Sequence, residues 1–245
     1  MKHLIFAIFS ILLLGLLSCK DDPKEGTLTL HFKAVYDGQP LQTFTTHPFD
    51  NGQQIQLSHM SMFISDLELA QGSNTRNLKD VELVDLSYDD LASAEAGYTV
   101  SLTGIPAGTY DGIQFGVGVP ADLNAMNPSD FSSSSPLSKT GYYWDAWQSY
   151  IFSKTEGRLD TVGNGLPELG FALHVGSDAL YRVLQAPIPL TIEDGKSLNV
   201  DVIVDYRLLL QGIDIKSNPQ NHSPSDVTNI TALVNNMANA FSLAF

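Results

Sequence analysis

The sequence predicts an all-β protein, a β-sandwich of antiparallel strands closed by a C-terminal helix. Three observations predict it. Apolar residues recur at every second position in short runs, the period of a strand with one buried face. Gly, Pro, Asn and Asp break those runs at the frequency of a sandwich. A single late segment changes to three-four spacing. Composition agrees: 43% of the 245 residues are hydrophobic and only 16% are charged, so the chain can bury a core. With 27 acidic and 13 basic side chains the formal charge is −14. That excludes a nucleic-acid binder, which needs a basic surface to neutralise phosphates.

The elements follow in order. Residues 1–18, MKHLIFAIFSILLLGLLS, begin basic and continue in an apolar run from Leu4 to Leu17. That run is shorter than the roughly 20 residues a membrane-spanning helix needs, so it reads as a signal peptide. It ends in Leu16-Leu17-Ser18-Cys19, which resembles the bacterial lipobox. The resemblance implies that Cys19 becomes a lipidated N-terminus, with residues 19–26 as a charged tether and the membrane as a partner through the anchor. Lys20-Asp21-Asp22-Pro23-Lys24-Glu25 resembles the acidic stretch of surface-exported lipoproteins of Bacteroidetes-type bacteria. The expected location is therefore the outer membrane, facing the periplasm or the cell surface. Cys19 is the sole cysteine, so the domain at 27–245 can hold neither a disulfide nor a thiolate metal cluster.

In Thr27–Tyr36, Leu28, Leu30, Phe32 and Tyr36 share one face and Thr29, His31 and Lys33 the other, before a hairpin signal at Asp37-Gly38. Ile113, Phe115, Val117 and Val119 alternate with polar or small residues, as do Phe171, Leu173 and Val175, and Leu198, Val200, Val202 and Val204. Asn127–Ser138 is a Ser/Pro-rich loop of a length often tied to function or mobility. After His222, Ser223 as N-cap and Pro224 at the first helical position open an amphipathic helix. Its apolar face carries Val227, Ile230, Val234, Met237 and Phe241. No composition break marks a second domain.

Chemistry is concentrated in Tyr142-Tyr143-Trp144-Asp145-Ala146-Trp147-Gln148-Ser149-Tyr150, which holds both tryptophans and three of the nine tyrosines. On physics alone such a cluster is a packed strand or a sugar-stacking surface. Beyond His3, five histidines remain: His31, His47, His59, His174 and His222. No two stand at a local ligand spacing, and no HExxH, GxSxG or phosphate loop is present. Glu156 reads as part of a Thr-Glu-Gly turn, and Asp89-Asp90 as a solvated loop. Spacing therefore supports no enzyme.

The run YYWDAWQSYIFSKTEG from Tyr142 to Gly157, followed by Gly170-Phe171-Ala172-Leu173-His174-Val175-Gly176, resembles the copper-binding MbnP-like family. LTLHFKAVYDGQPL at the start, SMFISDLEL at Ser61–Leu69 and the terminal VNNMANAFSL extend the likeness from about residue 27 to 245. The family resemblance implies a periplasmic or lipid-anchored β-rich protein whose copper is held by histidines and by a tryptophan oxidised to kynurenine. Ring opening exposes an aromatic amine where an intact indole offers only an N–H donor. Carried over residue by residue, the resemblance points to His174, His31 and His222 as metal ligands and to Trp144 or Trp147 as the modified ligand. It implies a partner di-haem enzyme of the cytochrome c peroxidase type, and an outer-membrane transporter would fit beside it. The chain departs from the pattern at Ala34, where relatives carry histidine, at Tyr142 for methionine, at Ser149 for glycine, and in an extra residue between the tryptophans.

Two functions follow as expectations. The first is a lipid-anchored cell-envelope protein that binds or handles copper without enzymatic turnover. The second is a surface sandwich that binds glycan or protein ligands after loss of the metal.

Overall fold

The computed structural model describes residues 24–221 and 226–245. The signal peptide, Cys19, most of the tether, His222, Ser223 and Pro224 lie outside the described residues. The long strands are β1 (Glu25–Tyr36), β2 (Gln54–Gln71), β3 (Asn74–Asp85), β4 (Tyr98–Pro106), β5 (Gly112–Val117), β6 (Ser149–Leu159), β7 (Leu169–Gly176), β8 (Arg182–Ala186), β9 (Ser197–Asp205) and β10 (Phe241–Ala244).

Among the described residues these strands build two main sheets. The first runs β10–β9–β1–β4, with the short Gln39–Pro40 strand extending it beside the end of β1. The second is nine-stranded, with β8–β5–β2–β6–β7 as its spine and β3 against β2. Most pairings are antiparallel as expected, but β1 and β9 run parallel, from Thr27 opposite Ser197 to Val35 opposite Asp205.

The core follows from alternation. Leu28, Leu30 and Phe32 of β1 are fully buried, as are Val202 and Val204 of β9. They face Phe115 and Val117 of β5 and Phe171, Leu173 and Val175 of β7, each at most 4% exposed. Phe32 and Phe115 meet edge to face across the interior, with ring centroids 6.1 Å apart. Asp37 and Gly38 both take positive φ, the conformation a type I′ hairpin requires.

One expectation is corrected, that of the terminal helix. The terminal helix begins at Thr228, after Val227, and buries Ile230, Leu233, Val234, Met237 and Ala240. Phe241 is not on that helix face, because the chain straightens there and Phe241–Ala244 pairs with Val204–Asp201. The unpaired edge of β9 attracts a strand more strongly than one more helical turn. Asn127–Ser138 is organised by short 3₁₀ turns at Pro128–Asp130 and Pro136–Ser138. Asp89 and Asp90 are exposed loop residues as expected, and Asp90 also caps the following short helix, accepting from the Ser93 amide at 2.9 Å.

Candidate functional site

On the outer face of the nine-stranded sheet, β6 sits between β2 and β7. Its residues Lys154, Glu156 and Arg158 point outward while Thr155, Gly157 and Leu159 are buried. In register, Glu156 lies opposite His59 of β2 on one side and Ala172 of β7 on the other. Glu156 is therefore a mid-strand residue. Gly157 does not make a turn; a Cβ there would lie 2.2 Å from the Gln56 carbonyl, so glycine permits the backbones to close at a bulge.

The aromatic stretch folds over this face as a hairpin. Tyr143 and Trp144 pair with Tyr150 and Ser149. The loop Asp145–Gln148 is closed by the Trp147 amide donating to the Trp144 carbonyl at 3.1 Å, with Gln148 at positive φ. The turn brings the two indoles together, with centroids 4.5 Å apart. Trp144 also meets the His174 ring at 5.7 Å.

Buried anchors hold the hairpin down. Tyr150 is fully buried, donates to the Leu137 carbonyl at 2.8 Å, and packs edge to face against Phe63 and Tyr143. Burial pushes its phenol up to about 12, with Tyr143 and Asp130 adding to the effect. The Asn124 side chain accepts from the Tyr150 amide at 2.7 Å and from the Ser149 hydroxyl at 3.2 Å, and donates to Asp178 at 2.7 Å. Ser149 also accepts from the Ser177 amide at 3.0 Å. No sequence signal marks Asn124; its spacing from Ser149 is purely tertiary.

His174 projects outward from β7, opposite in direction to Leu173 and Val175, as alternation requires. Its side chain is only 12% exposed because the hairpin covers it. Its Nε2 donates to Glu156 Oε1 at 2.7 Å. His59, whose face the sequence left open, shares this surface. It bonds Ser61 at 2.9 Å, Tyr142 at 3.3 Å and Ser87 at 3.1 Å. Lys154 donates to the Gly141 carbonyl at 2.8 Å and lies 4.2 Å above the Tyr142 ring. Burial lowers its pKa, against the opposing pull of Glu156.

The structure does not bring His31 here. Leu30 and Phe32 point into the core, so His31 points away from it, on the outer face of the other sheet. There it meets Thr99 at 3.1 Å and Asn199 at 3.4 Å. The whole sandwich separates it from His174. Ala34 is buried, so a histidine at that position would point inward and would not meet His174. His47 stacks on Tyr36 at 4.5 Å and bonds Thr45, a packing role. His174 and the two tryptophans are thus the expected site residues that the described structure brings together.

The fold is thus a β-sandwich that gathers an imidazole, a carboxylate and two indoles on one outer face. The chain belongs to the MbnP family, whose model matches residues 25–226. The solved MbnP from Methylosinus trichosporium is similar in fold, with a TM-score of 0.60 at 16% identity, covering 90% of this chain and 99% of that one. No curated protein sequence matches the chain.

The donors present can be tested against copper. Neutral imidazole suits copper, and a ligating histidine characteristically gives its other N–H to a carboxylate, as His174 does to Glu156. Among the described residues no group of three or more His, Cys, Asp or Glu side chains could enclose an ion. The fit to copper is therefore limited to one imidazole with a carboxylate behind it, His174 and Glu156.

Proposed function

We propose that this chain is a copper-binding or copper-handling protein of the cell envelope, lipid-anchored through Cys19, that acts as a binding module without turnover. The observation that carries the reading is the contact of Trp144 with His174, backed by Glu156. Family membership supports it. His174 would hold the ion, Glu156 would orient His174, and the Tyr150–Asn124 anchor would keep the hairpin closed over both. Copper would supply a site that binds nitrogen ligands more tightly than other divalent first-row metals do.

Trp144 is the indole placed to become a ligand. One dioxygen, or two peroxides with release of two waters, would have to cleave its C2–C3 bond and add an oxygen to each carbon; hydrolysis would then remove C2 as formate and leave the aromatic amine. A partner of the di-haem peroxidase type would activate that oxidant, and an outer-membrane transporter would take the loaded protein's cargo. The test is metal analysis with intact-mass measurement on protein from its native host. Copper together with a ring-opened Trp144 supports the reading; an apo chain with both indoles intact, and no uptake of Cu(I) or Cu(II), sinks it.

A second reading has its own observation. A cleft of about 300 Å³ beside Glu156 is lined by Phe44, Gln56, Arg158 and Gln220. Phe44 is 62% exposed and held at φ 63°, a strained position for an aromatic residue. This suits a glycan or peptide ligand, and glycan-array binding lost in Phe44→Ala but kept in His174→Ala would favour it.

A further inference from the structure

We infer that Glu156 is a positioning residue that holds the His174 imidazole with its proton on Nε2, so that Nδ1 carries the lone pair for the metal. The inference rests on the copper reading for its purpose, but its geometry stands apart from it.

A carboxylate only accepts hydrogen bonds, so the 2.7 Å contact requires a proton on Nε2. A neutral ring protonated there has its lone pair on Nδ1, and that atom is buried. The sheet makes this arrangement in several ways. Glu156 is opposite Ala172, whose methyl leaves room for the longer side chain to lean diagonally to His174 two residues on. Such diagonal neighbours lie within reach of long side chains. The residue directly opposite His174 is Lys154, a cation that would compete for Glu156. Its ammonium is drawn instead to the Gly141 carbonyl and the Tyr142 ring. Gly157 locks the backbone beside Glu156 through its close approach to β2. Glu156 keeps 35% of its side chain exposed.

The same residue also forms one wall of the cleft that contains Arg158 and Gln56. Only one carboxylate oxygen serves His174, which leaves Glu156 facing both the buried ring and solvent. A hydrogen-bonded carboxylate of this kind typically changes metal affinity about 10- to 100-fold when removed.

The experiment is long-range ¹H–¹⁵N NMR of the apo full-domain chain, at a pH where His174 is neutral, followed by Cu(I) competition titration. Wild type should show His174 protonated on Nε2 alone. Glu156→Leu should give an exchanging mixture of tautomers and about 10- to 100-fold weaker copper binding. Glu156→Gln, which keeps an acceptor oxygen, should retain the Nε2–H signal and most of the affinity. A wild-type ring protonated on Nδ1 overturns the inference even if Glu156→Leu fails to fold. So does Glu156→Leu matching wild type in both spectrum and affinity. A chain that takes no copper yet shows the Nε2–H ring defeats the copper reading and upholds the positioning of His174.

Discussion

Each of the two outer faces of the sandwich carries a histidine on a strand, and the strands are built alike. His31 on β1 and His174 on β7 both stand between buried neighbours that point to the core. The difference is what lies over them. His31 is left among hydroxyl and amide partners at the surface. His174 is covered by an aromatic hairpin and given a carboxylate. Strand alternation decides only that a histidine leaves the core; a covering segment decides whether it is desolvated and aimed.

The contrast can be broken most forcefully at the anchor of the hairpin. Tyr150→Ala removes a fully buried ring and its hydrogen bond, and should cost about 3–5 kcal/mol in urea unfolding while exposing His174. An unchanged urea midpoint would show that the cover contributes nothing to stability. His174→Ala should reduce copper uptake at least tenfold, measured by competition titration, whereas His31→Ala should leave it unchanged. Equal losses from the two would erase the distinction between the faces. Asn124→Ala strands the Tyr150 amide without its acceptor and should cost about 1–3 kcal/mol. Scanning calorimetry would check it; an unchanged melting temperature would show that the Tyr150 amide finds another acceptor.

Alkali separates the faces more gently. The Tyr150 phenol is raised from 10.0 to about 12 in the folded chain. The unfolded chain therefore ionises first. Stability from this group is complete below pH 10 and declines as pH rises towards about 12. Tyr150→Phe should flatten that part of the stability profile; an equally steep decline in the variant would assign it elsewhere. The smallest effect is expected at His31→Ala, within about 0.5 kcal/mol of wild type by urea unfolding.

The sequence made the sandwich readable wherever one strand face was dry. Leu28, Leu30 and Phe32, or Phe171, Leu173 and Val175, report their own burial through alternation. It was less readable in β2 and β6, which carry covering segments on their outer faces and so lose the polar half of the pattern. Ser61 and Ser65 are buried polar residues for this reason, under the hydroxyls of Tyr142 and Tyr181. The tryptophan–histidine pairing was legible through resemblance, since a separation of 30 residues carries no periodic signal. Glu156 was misread as a turn residue because Gly157 resembles turn chemistry, whereas its lack of a Cβ serves close approach. Asn124 was invisible, as a hydrogen-bond hub is written in three dimensions only.

The parallel pairing of β1 with β9 also has a consequence in time. The first long strand lies at the middle of its sheet, and its neighbours on one side are Ser197–Asp205 and then Phe241–Ala244. That layer cannot close until Ser197–Asp205 and Phe241–Ala244 have both been made. Contacts at such sequence separation also make folding slow. Until then Leu28, Leu30 and Phe32 face water beside an open strand edge. The interval before residue 244 arrives is therefore when this chain most needs to be held apart from its neighbours.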